Sequence, residues 1–157
     1  MGKELNFKLD DLTDQAVLDL LTTHLEYSRS ITPVCASHAM DAEGLKGNDV
    51  DFFTAWDGDD LVGMGAVRDL GKKQGELKSM HIARAHRGKG YASRTLKFLV
   101  EHAREKGMNR ISLETGAHDG FAAARALYIR HGFEESGPFG DYEFDESSIY
   151  MTRELGL

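Results

Sequence analysis

Between Ala83 and Lys97 the chain reads Ala-Arg-Ala-His-Arg-Gly-Lys-Gly-Tyr-Ala-Ser-Arg-Thr-Leu-Lys, with five Arg or Lys and no Asp or Glu. The chain as a whole carries a formal charge of −7, so this positive run is a local feature. A strand-like stretch, Glu76 to Ile82, enters it, and an amphipathic helical stretch leaves it. A glycine turn between strand and helix offers free backbone N–H groups, a helix N-terminus and nearby cations, which together hold phosphate. The core is Arg87-x-x-Gly90-x-Ala92. Gly88 and Gly90 let the backbone turn tightly and approach a ligand, Ala92 keeps the first helical turn open, and Arg87 and Lys89 supply charge. The spacing is neither that of a P-loop nor that of a dinucleotide-binding glycine fingerprint.

A second constellation follows downstream. Ala124-x-x-Leu127-Tyr128-x-x-x-Gly132-Phe133 places a phenol on a helix that otherwise faces the core. Cys35 and His38 stand three residues apart in a Pro-broken loop with no orienting acid, which is a weak nucleophile–base pair. The single cysteine excludes an internal disulfide and any multi-cysteine metal site, and no His-x-x-x-His occurs, so no metal is expected.

These residues need a scaffold, and the pattern supplies one. Leu5 to Leu9 alternates as a strand. Thr13 or Asp14 can cap a helix with the stripe Val17, Leu20, Leu21 and Leu25, and the pattern breaks from Ser28 to Ala39 around Pro33. Ala39 to Lys46 reads as a short helix. Asp51–Trp56 and Leu61–Arg68 are strand-like and joined by Asp57-Gly58-Asp59-Asp60, a hairpin signal. Gly71 to Gly75 turns into a Glu76–Arg84 strand. A helix runs from Tyr91 to Lys106 and stops at Gly107. Arg110–Thr115 is a strand, Phe121–His131 a helix ended by Gly132, and Phe133–Glu135 and Ser148–Arg153 are closing strands. The order βααβββαβαββ predicts a mixed sheet flanked by helices.

At 157 residues, with 41% hydrophobic and 29% charged residues, the chain fits one globular domain spanning 1–157. No apolar run reaches the ~20 residues that span a bilayer, and the first residues carry no signal-peptide pattern. The acidic balance argues against nucleic acid. The expected setting is cytoplasmic, without a membrane partner.

Taken together, Arg-x-x-Gly-x-Ala, then Ile-Ser-Leu-Glu-Thr at 111–115, then Ala-x-x-Leu-Tyr-x-x-x-Gly-Phe resemble the GNAT superfamily of acyl-CoA-dependent N-acetyltransferases. The match is good from Leu61 to Phe133 and extends to the first 50 residues only in element order. The resemblance implies an α/β fold, a three-layer α-β-α arrangement around a central twisted mixed sheet. It implies acetyl-CoA as co-substrate, with the pantetheine arm along Met80, His81 and Ile82 and the pyrophosphate on Arg87, Gly88, Lys89, Gly90, Tyr91 and Ala92. Tyr128 would protonate the departing thiolate, a strand N–H near Ile82 would meet the oxyanion, and Glu114 stands where some relatives keep a catalytic glutamate, with Glu76, His81 and His118 as competing candidates for the base. Many members carry Asn seven residues before the tyrosine; Phe121 stands there, so that cofactor contact is missing or replaced.

The segments Thr32–Ala39 and Gly137–Tyr142 further resemble a bacterial subgroup of small members. There the loop between the first two helices and the loop before the last strand line the acceptor side, which nominates Arg29, His38, Phe139 and Tyr142 as acceptor-pocket residues. From Glu134 to Glu146 the chain has six acidic residues and no basic one, which could attract an amine. The implied reaction is direct transfer of acetyl from acetyl-CoA to a primary amine of a small molecule or peptide in a ternary complex. The alternative is a catalytically silent acyl-CoA-binding regulatory protein. A homodimer is compatible with either, since dimers are common in such families.

Overall fold

The structure, a computed structural model, describes residues 5–31, 40–140 and 142–156, with positions 28–31 given by backbone alone. Asp14 opens the first helix, its carboxylate accepting from the Ala16 N–H at 2.8 Å. This helix, α1, spans Gln15–Ile31. It runs past Ser28, where the sequence pattern predicts a break, and its last residue lies two positions before Pro33, whose ring disfavours helix in the residue ahead of it. The short α2, Ala42–Leu45, is capped by Asp41, which accepts from the Gly44 N–H at 3.0 Å.

The remaining elements are β1 (Asn6–Leu9), β2 (Val50–Asp57), β3 (Asp60–Gly71), β4 (Gln74–Ile82), α3 (Tyr91–Glu105), β5 (Arg110–Gly116), α4 (Ala122–Arg130), β6 (Glu134–Ser136) and β7 (Ser148–Glu154). One-turn 3₁₀ helices precede α3 and α4, at Arg84–His86 and Asp119–Phe121. The order agrees with the βααβββαβαββ expectation. Strand bounds shift by up to three residues: β3 runs on to Gly71 rather than ending at Arg68, and β4 starts at Gln74 and stops at Ile82 rather than Arg84.

The strands form one mixed sheet in the order β1-β2-β3-β4-β5-β7-β6. All neighbours pair antiparallel except β4 and β5, which are parallel and meet only at Gln74–Glu76 against Arg110–Ser112. Beyond Glu76 and Ser112 the two strands part. Each face of the sheet is apolar because alternate strand residues point to opposite sides. On one face Phe52, Met64 and Ala66 pack under Val17, Leu20, Leu21 and Leu45 from α1 and α2. On the other, Leu77, Ile111 and Leu113 pack under Leu96, Leu99, Val100 and Ala103 of α3 and Leu127 of α4. Each fully buried aliphatic side chain contributes ~1.5–3 kcal/mol. These two cores hold the sheet from its opposite faces. Among the described residues no helix is long and apolar enough to cross a membrane.

Candidate active site

The parting of β4 and β5 opens a cleft of about 590 Å³. Its floor is shaped by a defect in β4. The register with β3 steps from Ala66 opposite Lys78 to Met64 opposite His81, so three steps on β4 face two on β3. Ser79 takes up the extra residue, with a left-handed φ of 54°. Such a bulge breaks the ladder and turns the following backbone out of the sheet, here the run Met80, His81 and Ile82, all in the cleft wall. The Ser79 hydroxyl is buried with no hydrogen-bond partner, and it too lines the cleft.

The glycine turn forms the next wall. Gly88 and Gly90 both adopt φ of 80°, a left-handed conformation that disfavours any side chain. Gly90 precedes α3 without a side-chain cap, so the first amides of α3 are left for a ligand. Arg87, Gly88, Gly90, Tyr91 and Ala92 all border the cleft, whereas Lys89 is exposed and outside its lining. The Tyr91 side chain also braces the scaffold. Its hydroxyl donates to Asp57 Oδ2 at 2.6 Å and fastens the start of α3 to the β2–β3 hairpin.

Tyr128 enters from α4. It is buried at 8% exposure, rests edge-on against Phe133 and lines the cleft. Burial pushes its phenol up to about 12, so the hydroxyl keeps its proton at neutral pH and is available as a donor. The turn leading to α4 is tied down by Arg125, whose guanidinium donates to the Gly116 and His118 carbonyls. Phe121 sits in that turn. Its ring forms part of the cleft wall and meets Tyr27 edge-on at 6.1 Å.

The candidate bases separate. Glu114 lines the cleft and accepts from the Ser148 hydroxyl at 2.8 Å. Glu76, 1% exposed, accepts from the Tyr142 hydroxyl at 2.5 Å and pairs with Lys78 at 3.3 Å. His118 accepts from the Gly120 N–H at 2.9 Å and caps a 3₁₀ turn outside the cleft wall. His81 is buried, and its Nδ1 lies 3.2 Å from Nδ1 of His24 on α1.

The acceptor-side nominations are placed in part. Phe139 and Tyr142 are not in the cleft wall; they pack edge-on against each other at 5.1 Å, and both rings contact Tyr150. Tyr142 reaches the site through Glu76 and Lys78, and burial, followed by the Glu76 charge, pushes its phenol well above the usual range. The Arg29 side chain and His38 lie outside the described residues, as does Cys35.

Sequence reasoning missed His24 and Tyr27. The signal was present: they continue the apolar stripe of α1 at i, i+4 and i+7 from Leu20, where polar side chains can face the interior. Tyr27 donates to the Gly120 carbonyl at 3.0 Å and lies under the Arg87 guanidinium at 6.0 Å.

Burial, joined by the Lys78 charge, pushes His24 from 6.5 down to about 4. Burial, with His24 and Arg87 adding, pushes His81 from 6.5 down to about 3. Both rings are therefore neutral when folded, while the unfolded imidazoles take up protons below 6.5. Stability from this pair is present above that pH and is lost as pH falls toward the folded values. Urea denaturation should show a plateau above neutrality and a decline between 6.5 and 4, made shallower by His24→Asn. An unchanged slope in that variant would show that His24 is not held neutral.

The acetyltransferase (GNAT) family model matches residues 17–133. The uncharacterized N-acetyltransferase YsnE of Bacillus subtilis is 40% identical over 151 residues, covering 96% of this chain and 100% of YsnE. A Klebsiella pneumoniae chain solved as a candidate acyl-CoA N-acyltransferase superposes with a TM-score of 0.78 at 25% identity, covering 96% of this chain and 97% of that one. The PaiA N-acetyltransferase of Thermoplasma acidophilum, solved with coenzyme A, shares the fold at a TM-score of 0.76 and 12% identity, covering 97% and 99%.

Proposed function

The chain belongs to the acetyltransferase (GNAT) family and is an acyltransferase, and from that premise we propose that it moves the acetyl group of acetyl-CoA directly to a primary amine of a small molecule or peptide. The observation that carries this reading is the junction of three features in one cleft: the splayed β4–β5 gap, the uncapped start of α3, and the Tyr128 phenol.

The residues fit the cofactor. Amides from Gly88 to Ala92 would meet its diphosphate, with Arg87 adding charge. The bulged backbone at Met80–Ile82 would run alongside the pantetheine arm, and the orphaned Ser79 hydroxyl is a polar group that such an arm could satisfy. When bound, acetyl-CoA supplies an activated thioester carbonyl and a thiolate leaving group. The chain supplies orientation, a strand amide near Ile82 facing the oxygen charge that develops, and a phenol proton from Tyr128. Glu114, which shares the cleft wall with Glu76, is a carboxylate available to draw in the cationic amine and take its first proton.

Calorimetry with acetyl-CoA, combined with thiol release across a panel of primary amines, tests this reading. Binding together with amine-dependent release is expected. Binding without release for every amine would favour a silent acyl-CoA-binding protein instead. Arg87→Ala combined with Lys89→Ala should weaken acetyl-CoA binding by roughly tenfold or more, as loss of charged hydrogen bonds worth ~1.5–3 kcal/mol implies. Since Lys89 lies outside the cleft lining, Arg87→Ala alone should carry most of that loss.

A further inference from the structure

The cleft contains a pair of titratable side chains with no part in the scheme above. Nδ1 of His24 and Nδ1 of His81 are 3.2 Å apart, with the rings inclined by 68°. Two ring nitrogens at this separation need one proton between them, since two N–H groups or two lone pairs would repel. A guanidinium can only donate, and that of Arg87 lies 3.5 Å from His81 Nε2 while its Nε–H donates to the Ile82 carbonyl at 3.1 Å. The arrangement fixes the tautomers. His81 presents its Nε2 lone pair to Arg87 and carries its proton on Nδ1, which donates to His24. His24 then carries its own proton on Nε2.

We propose that His24 and His81 form a two-ring proton relay, which Arg87 holds closed until an anionic cofactor draws the guanidinium away. The proposal rests on the acyl-transfer reading. Arg87 sits immediately before the glycine turn. A diphosphate on that turn offers it a stronger, charged partner than a neutral ring nitrogen and a carbonyl. Once Arg87 leaves, His81 Nε2 faces the cleft as a free acceptor. Once the amine, freed of its first proton, attacks the thioester carbonyl and the C–N bond forms, one remaining N–H bond of that nitrogen breaks and this second proton passes to His81 Nε2. The Nδ1 proton of His81 moves to His24 Nδ1, and the Nε2 proton of His24 goes to water. One proton enters and one leaves, so the pair stays neutral with its protons on the opposite nitrogens. Passage of one proton back along the same path resets it. Among the described residues, the charges that act on the pair are those of Lys78 from β4 and Arg87 from the glycine turn. The other titratable groups sharing the cleft wall are Tyr27 from α1, Glu76 from β4, His86 and Tyr91 beside the glycine turn, Glu114 from β5, and Tyr128 and Arg130 from α4. Release of Arg87 removes the cation that opposes protonation of His81 from the loop side.

The test is ¹⁵N NMR of the full chain with labelled histidine, titrated with pH in four samples: wild type, wild type with coenzyme A, Arg87→Ala, and Arg87→Ala with coenzyme A. The wild type alone should show a proton on Nδ1 of His81 and on Nε2 of His24. Coenzyme A and Arg87→Ala should each raise the His81 midpoint by roughly 1 pH unit, as expected for removal of a nearby like charge. Coenzyme A should add nothing further in the variant. Nε2 protonation of both rings, or a His81 midpoint indifferent to Arg87→Ala, overturns the relay. Calorimetry on the same samples separates the two readings. Absence of coenzyme A binding counts against acyl transfer, whereas binding that leaves the His81 midpoint in place overturns the gate. In turnover with the fastest amine of the panel, His24→Gln should lower kcat by roughly 10²-fold. It should also flatten the acid limb of the pH profile and keep the acetyl-CoA KM. Unchanged kcat and pH profile in this variant would exclude His24 from the proton path.

Discussion

Tyr128→Phe is expected to lower thiol release by roughly 10²–10⁴-fold at saturating substrates, the range for loss of a general acid. The substitution removes one oxygen and leaves the ring. The contact with Phe133 and the fill of the core beside Leu127 are therefore retained. Acetyl-CoA affinity and thermal midpoint should stay close to wild type. The expectation follows from the position of Tyr128 in the wall of the cleft and from the burial that keeps its phenol protonated. Single-turnover thiol release, read alongside calorimetry, checks it. Full turnover in the variant would assign the proton to another donor, while a parallel loss of cofactor binding would mean the hydroxyl serves binding instead.

The largest effect on stability is expected at Glu76. This carboxylate is 1% exposed, accepts from Tyr142 and pairs with Lys78, itself 8% exposed. Glu76→Ala removes one partner of a buried ion pair and leaves the Lys78 ammonium without that carboxylate, a change that costs ~3–5 kcal/mol. It also removes the acceptor of the Tyr142 O–H, one of the two bonds, with that from Lys78 at 2.9 Å, by which this hydroxyl ties the loop before β7 to β4. Glu76→Gln should cost less, because it preserves an acceptor for Tyr142 while removing the charge. Chemical denaturation of the two variants decides the matter: equal, small losses would show that the pair contributes little. The double substitution Glu76→Leu with Lys78→Met should recover much of the loss, since replacing both partners by apolar groups avoids the uncompensated charge.

The parts of this molecule that were legible in sequence are those set by local chemistry. The hairpin at Asp57–Asp60, the stop at Gly107, the stripe of α3 and the glycine turn each depend on residues a few positions apart, and each stands where the pattern predicts it. The same holds for Tyr128, whose place on α4 follows from the helical period. The Phe121 position shows the limit. The resemblance marks it as a departure from Asn, but only the fold shows that the ring closes the cleft wall against Tyr27 on α1.

What stayed hidden depends on distant segments meeting. The histidine pair joins residues 57 positions apart, and the Tyr142–Glu76 bond joins residues 66 apart. The bulge at Ser79 is equally silent in the sequence, since Lys-Ser-Met-His is an ordinary strand composition. It arises from how β4 must register with β3 while diverging from β5, a property of the sheet and not of the segment. Register defects and cross-sheet polar pairs carry the finer geometry of the cleft, and neither has a short-range signature.

All of this chemistry requires that main-chain amides at the start of α3 hold a diphosphate and so direct a thioester toward Tyr128. A crystal structure with coenzyme A is the decisive experiment. It should show phosphate oxygens on the amides of Gly88 to Ala92 and the thiol sulfur within about 3.5 Å of the Tyr128 hydroxyl, close enough for the phenol to donate to it. Coenzyme A bound away from the β4–β5 gap, or a sulfur far from Tyr128, would contradict it.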